Sequence, residues 1–148
     1  MREITTEKNI LTENSEILKK YFKDISRYKR YSSDEQIELA RKIKNGDNKA
    51  REQLINSNLL FVITCAKKYV GQGVPLIDLI NAGNYGLILA IENFDPDRGY
   101  HFISFAVWYI RREIIREIYN TGRTIRYPIT YISRITKVKK AYDKFLCK

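Results

Sequence analysis

The sequence of 148 residues is poor in glycine, proline, cysteine and histidine, with seven, three, two and one of each. Because glycine and proline interrupt regular structure, their scarcity favours long helices joined by short turns. Cys65 and Cys147 are far apart and lack the spacing of metal ligands. Cys65 falls in an apolar helical run and is expected to be a small buried residue. A reducing compartment is the simple inference.

Long hydrophobic runs and a signal peptide are also missing. The longest uncharged segments, residues 53–66 and 79–91, have 14 and 13 residues. A helix needs roughly 20 apolar residues to span a bilayer. The polar N-terminus does not have the apolar stretch of a signal peptide. We therefore expect a soluble cytoplasmic protein in which residues 1–14 form a mobile tail.

Positive charge is concentrated in the C-terminal third of the chain. The net charge is +10, of which residues 1–97 contribute +1, from 15 Lys and Arg against 14 Asp and Glu. Residues 98–148 contribute +9, from 12 basic residues against three acidic ones. This asymmetry indicates a polyanionic partner, and it favours nucleic acid over a membrane surface.

Helical spacing of apolar residues predicts an all-α protein without strands or repeats. Residues 32–35 (Ser-Ser-Asp-Glu) have the pattern of a capping box and predict a helix start. A later helix is predicted over residues 76–93, with an inner side formed by Leu76, Leu79, Ile80, Gly83, Leu87 and Ile91. Its outward side is expected to consist of Asp78, Asn81, Ala82 and Tyr85, flanked by Ile77, Asn84 and Ile88. A last basic helix from residue 129 carries an apolar stripe that should need a partner, formed by Ile132, Ile135, Val138 and Tyr142.

The helix predicted within residues 98–118 has two bulky sides when it is drawn at about 100° per residue. A core-facing stripe is predicted for Ile103, Val107, Ile110, Ile114 and Ile118. The opposite, outer side holds Phe105, Trp108, Tyr109, Arg112 and Arg116, with Tyr100 and Phe102 just before it. Exposed rings and guanidinium planes accept the faces of unpaired bases, and positive charge attracts phosphate. The alternative is that these aromatic residues pack against a neighbouring helix.

Six blocks of sequence resemble bacterial sigma factors of the housekeeping class, in the order of that family. They are residues 57–63 (Ser-Asn-Leu-Leu-Phe-Val-Ile), 66–69 (Ala-Lys-Lys-Tyr), 78–84 (Asp-Leu-Ile-Asn-Ala-Gly-Asn), 93–102 (Asn-Phe-Asp-Pro-Asp-Arg-Gly-Tyr-His-Phe), 106–112 (Ala-Val-Trp-Tyr-Ile-Arg-Arg) and 124–128 (Thr-Ile-Arg-Tyr-Pro). The resemblance implies a compact helical region 2 domain with an N-terminal helical extension. Residues 15–127 would be regions 1.2 and 2, and residues 128–148 the beginning of region 3.

The resemblance also implies a function and its residues. Such proteins bind the RNA polymerase core, recognise the −10 promoter element and capture bases flipped from its non-template strand. The residues that correspond to DNA contacts are Asn58, Phe61, Arg98, Tyr100, His101, Phe102, Phe105, Trp108, Tyr109, Arg111, Arg112, Arg116 and Arg126. Those that correspond to the face docking on the coiled coil of the largest core subunit are Ile77, Asp78, Asn81, Ala82, Asn84 and Ile88. No metal or cofactor is implied, and the protein would work in the bacterial cytoplasm, associated with the nucleoid.

Several positions depart from the family pattern. Tyr109 replaces a tryptophan, Phe105 a tyrosine, Arg112 a glutamine and Ile115 a threonine. Because arginine prefers guanine edges in the major groove, Arg112 predicts an altered preference at the upstream −10 position. Ala82 replaces a glutamate on the polymerase-binding face. Thr130 and Ser133 stand where the family reads the extended −10 motif, and we expect that reading to be lost.

The matching sequence ends before the family's −35-binding domain. Either it belongs to a longer protein, or it is a short, divergent sigma factor whose −35 recognition is supplied by a separate chain. An enzyme is not expected, because there is one histidine and no recognisable catalytic motif. Two further alternatives remain open, namely a decoy that occupies the polymerase and a nonspecific single-strand binder. A decoy would bind core without selecting −10 DNA, and a nonspecific binder would show salt-sensitive affinity without preference for a TATAAT-like strand.

Overall fold

A computed structural model describes residues 16–122 and 128–146 of the chain. Within these ranges there is no strand, and the regular structure is helical, which confirms the all-α prediction. The helices are α1 over residues 16–25, α2 (Ser33–Lys44), α3 (Asn48–Lys67), α4 (Leu76–Asn93), a short 3₁₀ turn (Pro96–Arg98), α5 (Phe102–Thr121) and α6 (Ile129–Leu146). Among the described helices, none is long and apolar enough to cross a membrane.

The helix starts follow from local side-chain chemistry. Ser32 caps α2 by accepting a hydrogen bond from the Glu35 N–H, and the Glu35 carboxylate accepts one from the Ser32 N–H at 2.7 Å. These two bonds form the capping box that the sequence predicts. Asp47 caps α3 in the same way by accepting from the N–H groups of Lys49 and Ala50. Both caps satisfy N–H groups that have no partner inside the helix.

The core lies chiefly between α3, α4 and α5, and α4 and α5 form the closest pair. The predicted inner side of α4 is confirmed, since its apolar residues and Gly83 are buried, with only Leu76 partly exposed. Gly86 also belongs to the buried side of α4, and it allows the backbone of α5 to approach closely at Tyr109 and Ile110. The position of α5 therefore depends on its contact with α4.

The described part of α6 exposes its apolar residues. Ile135, Val138 and Tyr142 are all open to solvent, as expected for a stripe that needs a partner. The side chain of Ile132, the fourth residue of that predicted stripe, lies outside what the structure describes. The predicted tail, Arg126, the side chain of Ser133 and Cys147 also lie outside the described residues.

Candidate nucleic-acid interface

The outer surface of α5 carries one large exposed ring and two exposed arginines. Trp108 is 71% exposed, and the side chains of Arg112 and Arg116 are exposed by similar fractions. Tyr100, just before the helix, is 67% exposed. The predicted outer side is therefore confirmed for these four residues. They combine open aromatic faces with positive charge, which is the combination that binds single-stranded nucleic acid.

Other rings of the predicted outer side pack against the protein. Phe94, in the turn after α4, contacts Phe102 and Phe105 with ring centroids 5.2 and 5.6 Å apart, and Phe105 contacts Tyr109 at 5.0 Å. Phe105 and Tyr109 are half-buried against the core, so these two residues do pack, although the ring that Phe105 contacts comes from the turn after α4 and not from a neighbouring helix. Phe102 is only 1% exposed, and its predicted place on the outer surface is wrong because its ring packs edge-on against Phe94.

The predicted core stripe of α5 also needs a correction. Ile110 and Ile114 are fully buried, and Val107 and Ile118 pack at the edge of the core. Ile103, however, is exposed. The helix turns toward the core along positions 102, 106, 110 and 114, which are four residues apart and form one ridge of the helix. Ile103 lies beside that ridge rather than on it.

A cavity of about 290 Å³ lies next to the start of α5. Asn58 and Phe61, two of the predicted DNA contacts, line it together with Ile103. Arg30, Tyr31, Gln36, Ser57, Leu60 and Thr64 complete its lining. Asn58 is buried and donates a hydrogen bond to the Leu54 carbonyl at 2.8 Å. His101 does not line the cavity; its Nδ1 forms a 2.5 Å hydrogen bond with the Ser33 hydroxyl of α2.

The turn before α5 is held by ion pairs. Lys44 of α2 lies 2.6 Å from an Asp95 carboxylate oxygen, and Arg98 lies 3.3 Å from the other oxygen. Arg41 pairs with Asp97 at 3.3 Å. The hydrogen bond from Lys44, followed by the one from the Asp97 N–H, holds the pKa of Asp95 below its usual value. Arg98, a predicted DNA contact, thus lies on a turn that is fastened to α2.

Arg111 lies on a different part of α5 from Arg112. It is half-buried, and its charge acts on the thiol of Cys65 in α3. Burial raises the pKa of that thiol, and the positive charges of Arg111 and Lys68 partly oppose the increase. Cys65 is buried, as predicted, and its thiol is free. Arg111 therefore lies on the side of α5 toward α3.

The predicted polymerase-binding residues lie on α4, and only two of the six are fully open to solvent. Asp78 and Asn81 are exposed, while Ala82 and Asn84 are partly buried, as are Ile77 and Ile88. The Asn84 side-chain amide donates a 3.0 Å hydrogen bond to the Tyr21 hydroxyl of α1. Between this side and α5 lies a polar cleft of about 340 Å³, lined by Ala82, Tyr85, Glu113, Arg116, Glu117 and Asn120. The two predicted faces are therefore neighbours that share this cleft.

Sequence reasoning missed Glu113, a buried carboxylate on α5. Its oxygens lie 3.0 Å from Arg112 Nε and 3.5 Å from Arg116 Nη1. The sequence does contain a sign of its burial, because position 113 falls beside Ile110 and Ile114 on the helical wheel. It also contains a sign of its pairing, because arginines stand one residue before it and three residues after it. Phe94 was also missed, because its role depends on rings that follow it in the chain by 8 and 11 positions. Among the described residues, no cluster of His, Cys, Asp or Glu could hold a metal ion.

Comparison with protein families gives two adjoining matches. Residues 54–124 match the model of sigma-70 region 2, and residues 16–49 match the model of sigma-70 factor region 1.2. The first match contains α4, α5 and most of α3. The second contains α1 and α2. Together they cover most of the described chain and all of α5.

Individual relatives give the same result over a longer alignment. The chain is 43% identical over 126 residues to RNA polymerase sigma factor SigA of a Bacillus species and 44% identical over 126 residues to that of Clostridium acetobutylicum. It is 40% identical over 130 residues to RNA polymerase sigma factor RpoS of Coxiella burnetii. These alignments cover 85% or 88% of this chain but only 33% or 37% of the relatives. The chain spans about a third of the length of the curated relatives that it matches.

Proposed function

Because the chain belongs to the sigma-70 family of RNA polymerase sigma factors, we propose that it binds core polymerase through α4 and captures the −10 non-template strand on α5. The observation that carries this proposal is the exposure of Trp108 beside Arg112 and Arg116 on a helix braced against the core. Transcription would then start from promoters that this surface selects, in the bacterial cytoplasm and at the nucleoid. The chain would itself catalyse no reaction, since nucleotide addition belongs to the core.

Capturing a flipped base has a cost that the surface must offset. Unstacking and unpairing a base costs a few kcal/mol, and stacking on an aromatic ring contributes about 1–3 kcal/mol per base. Tyr100 and Trp108 have open ring faces for this purpose. Phe105 contacts Phe94, and Tyr109 contacts Phe105, so these two rings supply a fixed wall rather than free faces. A fixed wall lowers the entropy that is lost when DNA binds.

The cavity beside α5 would hold a second base of the −10 non-template strand, in addition to the base that stacks on the exposed rings. At about 290 Å³ it has room for a pyrimidine ring, and its lining includes the Phe61 ring and the polar side chains of Asn58 and Gln36. Asn58 is fixed in place by its hydrogen bonds to Leu54 and Ser57. A positioned amide beside a ring is suited to reading the edge of an unpaired base.

The polymerase-binding proposal rests on the exposed polar residues of α4. Asp78 stands in the first turn of α4, where the helix dipole favours a negative charge. Asn81 follows one turn later, and Ile77 and Ile88 add partly exposed apolar surface. A mixed surface of this kind suits docking onto another helical element.

The decisive test uses Trp108, the single tryptophan of the chain, as a fluorescent reporter. We would titrate the protein with a −10 non-template oligonucleotide, a scrambled strand of equal composition and a duplex, with and without bacterial core polymerase. Quenching that favours the −10 strand and is strengthened by core is the expected result. Equal binding of every oligonucleotide would indicate a nonspecific binder. Tight core binding without selective quenching would indicate a decoy.

A matched pair of tyrosine variants tests the DNA surface. Tyr100→Ala should weaken binding of the −10 strand about 10- to 100-fold, because it removes one stacking ring. Tyr85→Ala removes a ring of comparable exposure from the outward side of α4 and should leave binding to free DNA unchanged. Equal losses in the two variants would contradict the assignment of the DNA surface to α5.

A second pair tests the polymerase surface. Asp78→Arg reverses a charge on the outward side of α4 and should weaken core binding at least tenfold, because one reversed rim charge can cost more than 1.4 kcal/mol. Glu38→Arg makes the same change at an exposed position of α2 and should have little effect. Both affinities can be measured by competition with a labelled sigma factor for core. If Glu38→Arg caused the larger loss, the docking face would have to be placed elsewhere.

A further inference from the structure

Glu113 is the most buried acidic residue that the structure describes, with 6% of its surface exposed. A carboxylate in such a position needs partners of opposite charge, because desolvation strongly disfavours an unpaired ion. Its two oxygens are each approached by a guanidinium group, from Arg112 at 3.0 Å and from Arg116 at 3.5 Å. Both arginine side chains are themselves mostly exposed. The buried carboxylate is thus paired with two guanidinium groups that are themselves exposed to solvent.

The contact with Arg112 is unusual for a helix. Side chains one residue apart diverge by about 100° and do not normally meet. Arg112 must therefore fold back to reach Glu113, and its guanidinium carbon also lies 4.8 Å from the centre of the Tyr109 ring. The Tyr109 ring in turn contacts Phe105, and Phe105 contacts Phe94, each at a tilted angle. The Arg112 guanidinium is held on one side by a carboxylate and on another by the first of three contacting rings, the last of which, Phe94, belongs to the core.

The hydrogen-bond pattern leaves a defined part of Arg112 available. Its Nε donates to Glu113, and among the described residues its two terminal Nη groups have no hydrogen-bond partner. A guanine edge in the major groove presents two acceptors, N7 and O6, which match the two parallel donors of an arginine. With Nε occupied, the pair that remains is the end-on pair of Nη groups. Because the guanidinium is already oriented, less side-chain entropy is lost when it binds.

We propose that Glu113 is a positioning residue that presents Arg112 to a guanine edge in the duplex at the upstream end of the −10 element. The proposal rests on the proposed sigma function and adds a source of base preference to it. Arg116, held by the other oxygen of Glu113, supplies a contact to the neighbouring phosphate. Glu113 contributes through these arginines and does not touch DNA.

The test exploits two effects of opposite sign. Glu113→Gln removes a negative charge near DNA, so affinity for every probe should rise. The same change replaces the charge-assisted bond that anchors Arg112 by a weaker bond to a neutral amide oxygen, so preference among bases should fall. The probes are forked −10 duplexes that carry each of the four base pairs at the upstream position, measured with the full chain and core polymerase. We expect about tenfold preference for a guanine-containing pair in the parent, reduced to about twofold in Glu113→Gln.

Glu117→Gln is the matched control. Glu117 lies on the same helix and lines the same cleft, but its carboxylate accepts from the Thr121 hydroxyl at 3.1 Å and does not contact Arg112. This variant should raise general affinity as Glu113→Gln does, with base preference unchanged. In an Arg112→Gln background, Glu113→Gln should have no further effect on base preference, since a positioning residue acts only through its partner.

Three outcomes would overturn the proposal: no guanine preference in the parent, undiminished preference in Glu113→Gln, or an equal loss in Glu117→Gln. Circular dichroism checks the fold of each variant. Should Glu113→Gln not fold, hydrogen exchange at Arg112 Nε in the parent decides instead. The reference is Arg41, whose ion pair uses Nη2 and leaves its Nε–H without that bond. Slower exchange at Arg112 Nε than at Arg41 Nε supports the bond to Glu113, and equal exchange refutes it. The proposed sigma function is judged separately by single-strand selectivity at Trp108, so the two can fail independently.

Discussion

Replacing Gly86 by alanine tests whether the candidate DNA surface depends on the close approach of α4 and α5. A Cβ atom at Gly86 would lie 2.8 Å from the Tyr109 carbonyl oxygen, 2.9 Å from Ile110 Cα and 3.0 Å from the Tyr109 carbonyl carbon. All three are backbone atoms of α5, so no side-chain rotation relieves the clash. Since comfortable contacts begin at about 3.4 Å, α5 must move away from α4 by about 0.6 Å.

The expected cost follows from two opposing terms. Overpacking of a core costs about 1–3 kcal/mol, and a clash with backbone belongs at the upper end of that range. Alanine in place of glycine inside a helix returns about 1 kcal/mol through helix propensity. The net loss in the free energy of unfolding should therefore be about 2 kcal/mol. For a chain of this size that corresponds to a fall in Tm of about 6 °C.

Gly83→Ala provides the comparison on the same helix. Its nearest contact would be Val62 Cγ1 at 2.6 Å, which is a side-chain atom, and the next is Ile114 Cδ1 at 3.4 Å. The closest atom belongs to a side chain of α3 and not to the backbone of α5, so its displacement leaves α5 in place. Because Val62 is fully buried and stiff, the change still has a cost, and we expect a net loss of about 1 kcal/mol. Urea denaturation measures both variants. Titration of Trp108 with the −10 strand should weaken in Gly86→Ala alone. Equal stability of Gly86→Ala and the parent, or a larger loss in Gly83→Ala, would refute the reasoning.

Three further predictions concern single groups. In a Cys147→Ser background, Cys65 should resist a thiol reagent at pH 8 until the protein unfolds, and rapid labelling of the native protein would contradict its burial. The raised pKa of its buried thiol also predicts that the free energy of unfolding declines as pH rises above about 9, where the thiol of the unfolded chain ionises. The Asp95 carboxyl should titrate below its usual pKa of 3.8 in an NMR experiment, so that its contribution to stability is present above that value and is lost as pH falls through the folded-state pKa. Lys44→Met should move its midpoint upward, and an unchanged midpoint would remove the ion pair as the cause. Ser32→Ala should lower the free energy of unfolding by about 1 kcal/mol through loss of the α2 cap, whereas Ser32→Thr, which keeps the hydroxyl, should cost less; equal losses would argue against the cap.

Local sequence rules predicted the helices well because their causes are local. The capping box at Ser32 and Glu35 acts within one turn, so its residues suffice to identify a helix start. The inner side of α4 also follows from spacing, because several aliphatic residues share one side of that helix and the opposite side is polar. The uneven charge and the six matching blocks directed attention to α5 for the same reason: both are properties of the sequence itself.

The two bulky sides of α5 could not be resolved by spacing. A helical wheel states which residues share a side, but the neighbouring elements decide which side is covered. Phe94 packs against Phe102 and Phe105, and α5 is buried along positions 102, 106, 110 and 114. Ile103 therefore remains outside although it is apolar, and Phe102 is buried although it was placed among the outer rings.

The sequence by itself thus determined the helical class, the helix starts, the basic C-terminal third and the family of this protein, because these depend on residue order and composition. Tertiary structure alone decided which rings of α5 remain open, that Asn58 and Phe61 share a cavity, and that Glu113 holds Arg112 and Arg116 together. Each of these depends on how a side chain is covered or bent by its surroundings. Burial and charge pairing are set by distances across the fold, which the linear order of residues does not contain.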